Sequence, residues 1–218
     1  MPIIEHVIRA ERPDAVALLE ANDQPAAVGL AGRLGMELVY GEANSPYAVG
    51  WLSALPVVAA TNHRLPILEK TLLEIDLGDV RLFSTHLRAG RTERDAELRT
   101  AEAAAILDAI GPGDCLLVGD LNAVNPTDEI GTPPPEEALE FVAQKSVELF
   151  LDAGFVDCYR RLHPAERGWT YLTWHPWARL DYVLARGELA RRMSSCDVVT
   201  GDDERSASDH FPVVAELS

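Results

Sequence analysis

Carboxylate or imidazole groups fall at the ends of apolar runs five times in this sequence: Glu20 after Ala15 to Leu19, His86 after Phe83-Ser84-Thr85, Asp120 with Asn122 after Cys115 to Val118, Asp181 beside Leu180, and Asp209 with His210 before Phe211-Pro212. Groups of these types exchange protons and carry charge, and the end of a strand is where a rigid sheet holds reacting groups in fixed geometry. Each also has a plainer use. Glu20, ahead of Ala21-Asn22-Asp23, can cap the next helix. His86 can be a satisfied buried histidine, Asp120 to Asn122 an Asx turn, and Ser208-Asp209-His210 an ordinary loop. Asp181, flanked by Leu180 and Tyr182 inside a strand, needs a partner, because an uncompensated charge on a buried face is expensive.

The elements that must position these residues follow from periodicity. Ile3, Ile4, Val7 and Ile8 repeat at helical spacing and Pro13 stops the run. Ala15 to Leu19 reads as a buried strand, and a second helix is expected from Pro25 to Leu34, closing at Gly35. Glu37 to Tyr40, Tyr47 to Ser53, Ile67 to Leu77 and Val80 to Leu87 are strand-like, the last two joined as a hairpin by Asp76-Leu77-Gly78-Asp79. Thr92 suits the cap of a long helix that ends at Gly111-Pro112-Gly113. Cys115 to Val118 is a strand, Asn125 to Pro135 a proline-rich loop and Glu136 to Leu151 a helix. A short element at Phe155 to Tyr159 and an aromatic loop, Gly168 to Trp177, precede closing strands at Leu180 to Ala185 and Pro212 to Leu217. Hairpins interspersed with helices, with no linker, imply packed sheets with helices on their outer faces.

Six segments together carry a resemblance: PDAVALLE ending at Glu20, AVGWLSALPV at residues 48–57, FSTHL with His86, LLVGDLN with Asp120 and Asn122, RLDYVLA with Asp181, and SDHFPVVAEL with Asp209 and His210. In order and spacing they resemble the endonuclease/exonuclease/phosphatase superfamily, the DNase I-like fold. The resemblance implies a single domain over 1–218, a four-layered α/β sandwich with two facing, mostly antiparallel sheets, and Mg²⁺-dependent hydrolysis of phosphoesters, with Mn²⁺ a possible substitute. It makes Glu20 the principal metal ligand, a role that carboxylate oxygen suits, and brings Asp209 to the metal directly or through water. Asp120 then orients or deprotonates the attacking water, Asn122 steadies the water and the phosphate, and His86 donates to a phosphate oxygen. His210 contacts the scissile phosphate as acid, base or charge stabiliser, and Asp181 holds its ring. Members of the family usually open with a strand ending in an Asn that helps bind metal. This sequence opens at the helix after it, so either the chain is truncated at the N-terminus or another segment fills the strand's slot, and neither Asn22 nor Asn44 stands in the matching place.

The 218 residues carry 19 Lys and Arg against 35 Asp and Glu, a net charge of −16. A protein that tracks a phosphate backbone usually presents a basic stripe, whereas here Arg88, Arg91, Arg94 and Arg99 alternate with Glu93, Asp95 and Glu97. A small or lipid-like phosphoester is therefore favoured over long nucleic acid. A nuclease acting on DNA or RNA is the alternative within the enzyme class, and a non-catalytic binding domain the alternative outside it. A Ser-His-Asp hydrolase lacks its G-x-S-x-G elbow, since Ser53 has no Gly two positions on. Three scattered cysteines with no CxxC pair argue against a disulfide framework or a thiolate zinc site. No signal peptide or membrane span is readable, and the cytoplasm is the expected compartment.

Overall fold

The computed structural model describes residues 2–134 and 145–218. The first helix, α1 (Pro2–Glu11), ends where Arg12 takes a φ of 50° ahead of Pro13. Strand β1 (Ala15–Leu18) follows, then α2 (Gln24–Leu34). Asp23, not Glu20, caps α2, its Oδ1 accepting the Ala26 N–H at 2.9 Å; the capping use of Glu20 is thereby excluded. β2 (Glu37–Gly41) and β3 (Val49–Ser53) complete an antiparallel sheet in the order β1-β3-β2.

A second sheet has six strands, ordered β4 (Ala59–Asn62), β5 (Leu72–Asp76), β6 (Arg81–His86), β7 (Cys115–Asp120), β9 (Asp181–Arg186) and β8 (Val156–Asp157). β6 and β7 are its parallel pair, because α3 (Glu93–Ile110) crosses between them; the other pairs are antiparallel. α3 opens with the expected cap, Thr92 and Asp95 satisfying each other's backbone N–H groups. Then come α4 (Lys145–Asp152), α5 (Cys158–Leu162), α6 (Glu188–Arg192) and α7 (Asp202–Ala207), with β10 (Met193–Val198) pairing β11 (Val213–Leu217) in a separate ribbon.

Alternation along the strands sets the layers. Phe83, Leu117 and Leu184 face Ile106 of α3 and Phe150 of α4, whereas Leu82, Leu116 and Val183 face Trp51 of β3 and Cys196 of β10. On β1, Ala15 and Ala17 join that second core; Val16 and Leu18 turn outward onto Ile8 of α1 and Leu30 of α2. The result is helix, sheet, sheet, helix. The sheet layer facing the six-stranded sheet is in two hydrogen-bonded pieces, β1-β3-β2 and β10-β11, and among the described residues no strand pairs with both β1 and β11.

One expectation is revised, and two strands lie outside what the sequence reading marked. The run from Ile67 narrows to Leu72–Asp76, because residues 67–71 form a turn held by the Asn44 amide, which donates to the Leu65 and Leu68 carbonyls. β4 and β10 carry too much polar or exposed sequence for alternation to mark them as strands. Of the helix expected over 136–151, residues 136–144 lie outside the described residues, and its described part is α4, Lys145–Asp152. No helix among the described residues is long and apolar enough to cross a membrane.

Candidate active site

Sheet register does most of the assembly. His86 pairs with Asp120 across β6 and β7, and Asp120 pairs with Asp181 across β7 and β9, so three side chains from distant parts of the chain stand in one row. The row opens into a cavity of about 350 Å³ that Glu20, Asn122, Asp209 and His210 also line. Glu20, His86, Asp120, Asn122, Asp181, Asp209 and His210 thus all line one cavity.

Asp120 is its buried centre. Asp120 Oδ1 accepts the Asn122 backbone N–H at 2.7 Å, and Oδ2 lies 3.2 Å from Asn122 Nδ2, 3.3 Å from His86 Nε2 and 4.0 Å from His210 Nε2. Burial pushes this carboxyl up, but the His86 and His210 rings and the Asn122 N–H outweigh it and bring it down to about 2. The Asx turn considered for Asp120 is present and serves the site.

His210 is oriented by Asp181, whose Oδ2 lies 2.7 Å from Nδ1, leaving Nε2 toward Asp120. Burial disfavours the charged ring, but Asp181, then Asp120 and Asp209, prevail and raise its pKa to about 10. At neutral pH the ring is an imidazolium, a donor and a positive charge. His86 lies between two carboxylates, Asp120 at Nε2 and Glu20 Oε1 at 3.8 Å from Nδ1, and Nδ1 is buried with no hydrogen-bond partner among the described residues.

Backbone geometry marks two of these positions. Among the described residues, three non-glycine residues have positive φ: Arg12, Glu20 at 53° and Asn122 at 46°. Such conformations cost roughly 1–3 kcal/mol and persist where surrounding structure imposes them. At Glu20 the turn directs a half-exposed carboxylate to the cavity rim; at Asn122 it folds the amide back over Asp120.

The residues of the aromatic loop, Gly168 to Trp177, have different surroundings. Tyr171 lines the cavity, its ring 4.7 Å from His210, while Trp177 lines it and also packs on Val124 and Ala178; Trp174 points outward, 62 % exposed. The loop also fastens the site. The Thr170 hydroxyl accepts the Leu180 and Asp181 N–H groups at 3.1 and 3.3 Å, and its carbonyl accepts Phe211 N–H at 2.8 Å, which ties the carboxylate of the His210 pair to the ring it holds.

Sequence reasoning missed these supports. Thr170 carries no local signal. Arg179, 1 % exposed, binds Asp128 and Asp157 in a buried network that also holds Asn125, so that the loop after β7 is anchored to α5 and β9. Behind residues 87–91, Glu102 accepts the Arg88 N–H at 2.8 Å and Arg99 donates to the Arg88 and Gly90 carbonyls at 2.8 and 3.1 Å. Of the four arginines in the basic group, Arg91 and Arg99 line the cavity, whereas Arg88 pairs with Glu69 and Arg94 with Glu97.

The donor set suits a hard divalent cation. Four carboxylates, Glu20, Asp120, Asp181 and Asp209, line the cavity; ligand atoms of Asp120, Asp181 and His210 lie within 4.8 Å of one another, but the His210 imidazolium has no lone pair to offer a cation. Glu20 and Asp209, the ligands expected from the sequence, line the same cavity outside that tight group.

The Endonuclease/Exonuclease/phosphatase family profile matches residues 3–210, and the chain belongs to that family. No curated protein sequence matches it. Among solved structures, an AP endonuclease from Archaeoglobus fulgidus superposes with a TM-score of 0.82 at 20% identity, over 99% of this chain and 93% of that one. The 3′ phosphatase NExo from Neisseria, bound to a product DNA hairpin, gives 0.79 at 19% identity over 100% and 93%. The 3′-5′ exonuclease NExo from Neisseria meningitidis gives 0.77 at 20% identity over 99% and 93%. These likenesses establish the DNase I-like fold.

Proposed function

We propose that this protein hydrolyses phosphoester bonds with the aid of a divalent cation, Mg²⁺ or Mn²⁺, at the cavity where β6, β7 and β9 end. The observation that carries the reading is the row His86, Asp120, Asp181 with His210 held at 2.7 Å by Asp181 and 4.0 Å from Asp120. Glu20 and Asp209, with Asp120 close by, are the groups that would hold the cation, which supplies positive charge against the phosphoryl oxygens. Asp120, kept ionised, accepts hydrogen bonds and orients the attacking water or takes its proton. Asn122 steadies that water through its amide. His86 and the His210 imidazolium donate to phosphoryl oxygens, His210 acting as donor and charge stabiliser because its proton is held through neutral pH.

A small or lipid-like phosphoester fits the net charge of −16, which opposes long nucleic acid. A second reading, action on DNA as suggested by the AP endonuclease and the 3′ phosphatase bound to a product DNA hairpin, draws on Arg91 and Tyr171, which both line the cavity.

The test is hydrolysis of a chromogenic phosphodiester and the matching monoester with Mg²⁺, Mn²⁺ or chelator. Metal-dependent turnover that falls about 10²–10⁴-fold in Asp120→Asn and His210→Ala is expected. A folded protein with no turnover on these compounds or on DNA bearing a 3′ phosphate or abasic site overturns the hydrolase reading in favour of a binding domain.

A further inference from the structure

Behind the site stands a buried cation that the reaction described above does not use. Lys70, in the turn before β5, is 3 % exposed. Its ammonium donates to the Leu87 carbonyl at 3.3 Å, lies 5.5 Å from the centroid of the Tyr47 ring and stands 3.9 Å from Glu69 Oε1. Burying an ammonium with no tighter carboxylate contact than this is costly, and an apolar side chain would fill the space without that cost. Desolvation accordingly lowers the Lys70 pKa, and the charges that resist it are Glu69, Asp120, Glu20 and Glu102. Two of those four belong to the site.

The Leu87 peptide links Lys70 to the chemistry. Its carbonyl also accepts Asn122 Nδ2 at 3.1 Å, and its N–H donates to the Asp120 carbonyl at 2.9 Å. Lys70 therefore grips from the core side the same oxygen that Asn122 grips from the cavity side.

Building on the hydrolase reading, we infer that Lys70 is a positioning residue of the site, fixing the Leu87 carbonyl that orients Asn122 and placing a positive charge behind Glu20 and Asp120. That charge weakens the hold of the two carboxylates on a divalent cation and strengthens the site's hold on a phosphoryl anion. The two effects have opposite signs, which separates them from a packing defect.

The experiment uses the full chain with Lys70→Met, which removes charge and donor, and Lys70→Gln, which keeps a donor and removes the charge. Mn²⁺ affinity is measured by calorimetry or electron paramagnetic resonance, and inorganic phosphate affinity at saturating Mn²⁺. Both variants should bind Mn²⁺ several-fold more tightly and phosphate several-fold more weakly, with kcat lowered, and Lys70→Arg should return both affinities toward wild type. Unchanged affinities, or a loss of both together, in a folded variant overturn the inference; if Lys70→Met does not fold, Lys70→Gln carries the test alone. Neither affinity requires turnover. Opposite shifts in a protein that hydrolyses nothing would leave Lys70 as inferred and remove the hydrolase reading; turnover with unmoved affinities would do the reverse.

Discussion

At the scale of single residues, the site works by setting two titratable groups against each other. Asp120 is held low and His210 high, so carboxylate and imidazolium coexist across the whole neutral range. The support for His210 comes through one short bond to Asp181. In the metal-free protein, Asp181→Asn is therefore expected to bring the His210 pKa down from about 10 toward the ordinary histidine value of 6.5, read directly from its ring resonances by NMR. A ring that still titrates near the wild-type value in that variant would contradict the assigned pairing. Stability carries the same signature. His210 binds its proton more tightly folded than unfolded, so its contribution is full below 6.5, until the carboxylates protonate, and is lost as pH rises through about 10. For Asp120 the contribution is full above 3.8 and is lost as pH falls through about 2. Denaturant titrations of wild type and His210→Gln, with chelator present, should converge as pH climbs toward 10.

Among elements, the decisive contact is the parallel pairing of β6 with β7. Gly119, with a φ of 148°, lies against the Thr85 carbonyl so closely that an added Cβ would come within 1.8 Å of that oxygen. Gly119 precedes Asp120 and Thr85 precedes His86, so any side chain here pries apart the row itself. Gly119→Ala should lose several kcal/mol of stability and most of the activity, in line with the large costs of forcing a side chain into backbone contact at positive φ. Equal stability in denaturant would show that the strands relax without penalty. The aromatic loop gives a milder case. Thr170→Val strips the acceptor from the Leu180 and Asp181 N–H groups and should cost about 1–3 kcal/mol, the penalty for buried donors left unpaired, with kcat falling more than KM rises. A variant as stable and active as wild type would remove Thr170 from the positioning scheme.

For the whole molecule, charge and topology set the reach of the site. With a net charge of −16 and its arginines largely committed to carboxylates, the protein should be inhibited little by undamaged duplex DNA, and turnover of a small phosphodiester should change little between 50 and 200 mM salt, concentrations over which a phosphate-tracking protein loses about 10³–10⁵ in affinity. Strong competition by duplex DNA at low salt, relieved at high salt, would instead point to the nuclease reading.

How much of this was visible before folding differs by level. The sequence by itself determined which residue types end which apolar runs and, through periods of two and of 3.6, which faces of the long strands and helices meet the cores. The cap of α3 and the stops of α2 and α3 were visible for the same local reason: Thr92, Gly35 and Gly111 act on backbone within a few residues of themselves, whereas the cap of α2 fell to Asp23 and not to Glu20. The family segments carried the order of the site residues. Only the tertiary structure decided that His86, Asp120 and Asp181 share one row, since strand register is set between segments far apart in sequence. It also decided which nitrogen of His210 faces Asp120, and recruited Thr170, Arg179, Glu102 and Lys70, whose hydrogen bonds reach partners 10 to 51 residues away. The physical reason is range: periodicity and capping are local, whereas a buried polar group is satisfied by whatever the fold brings beside it.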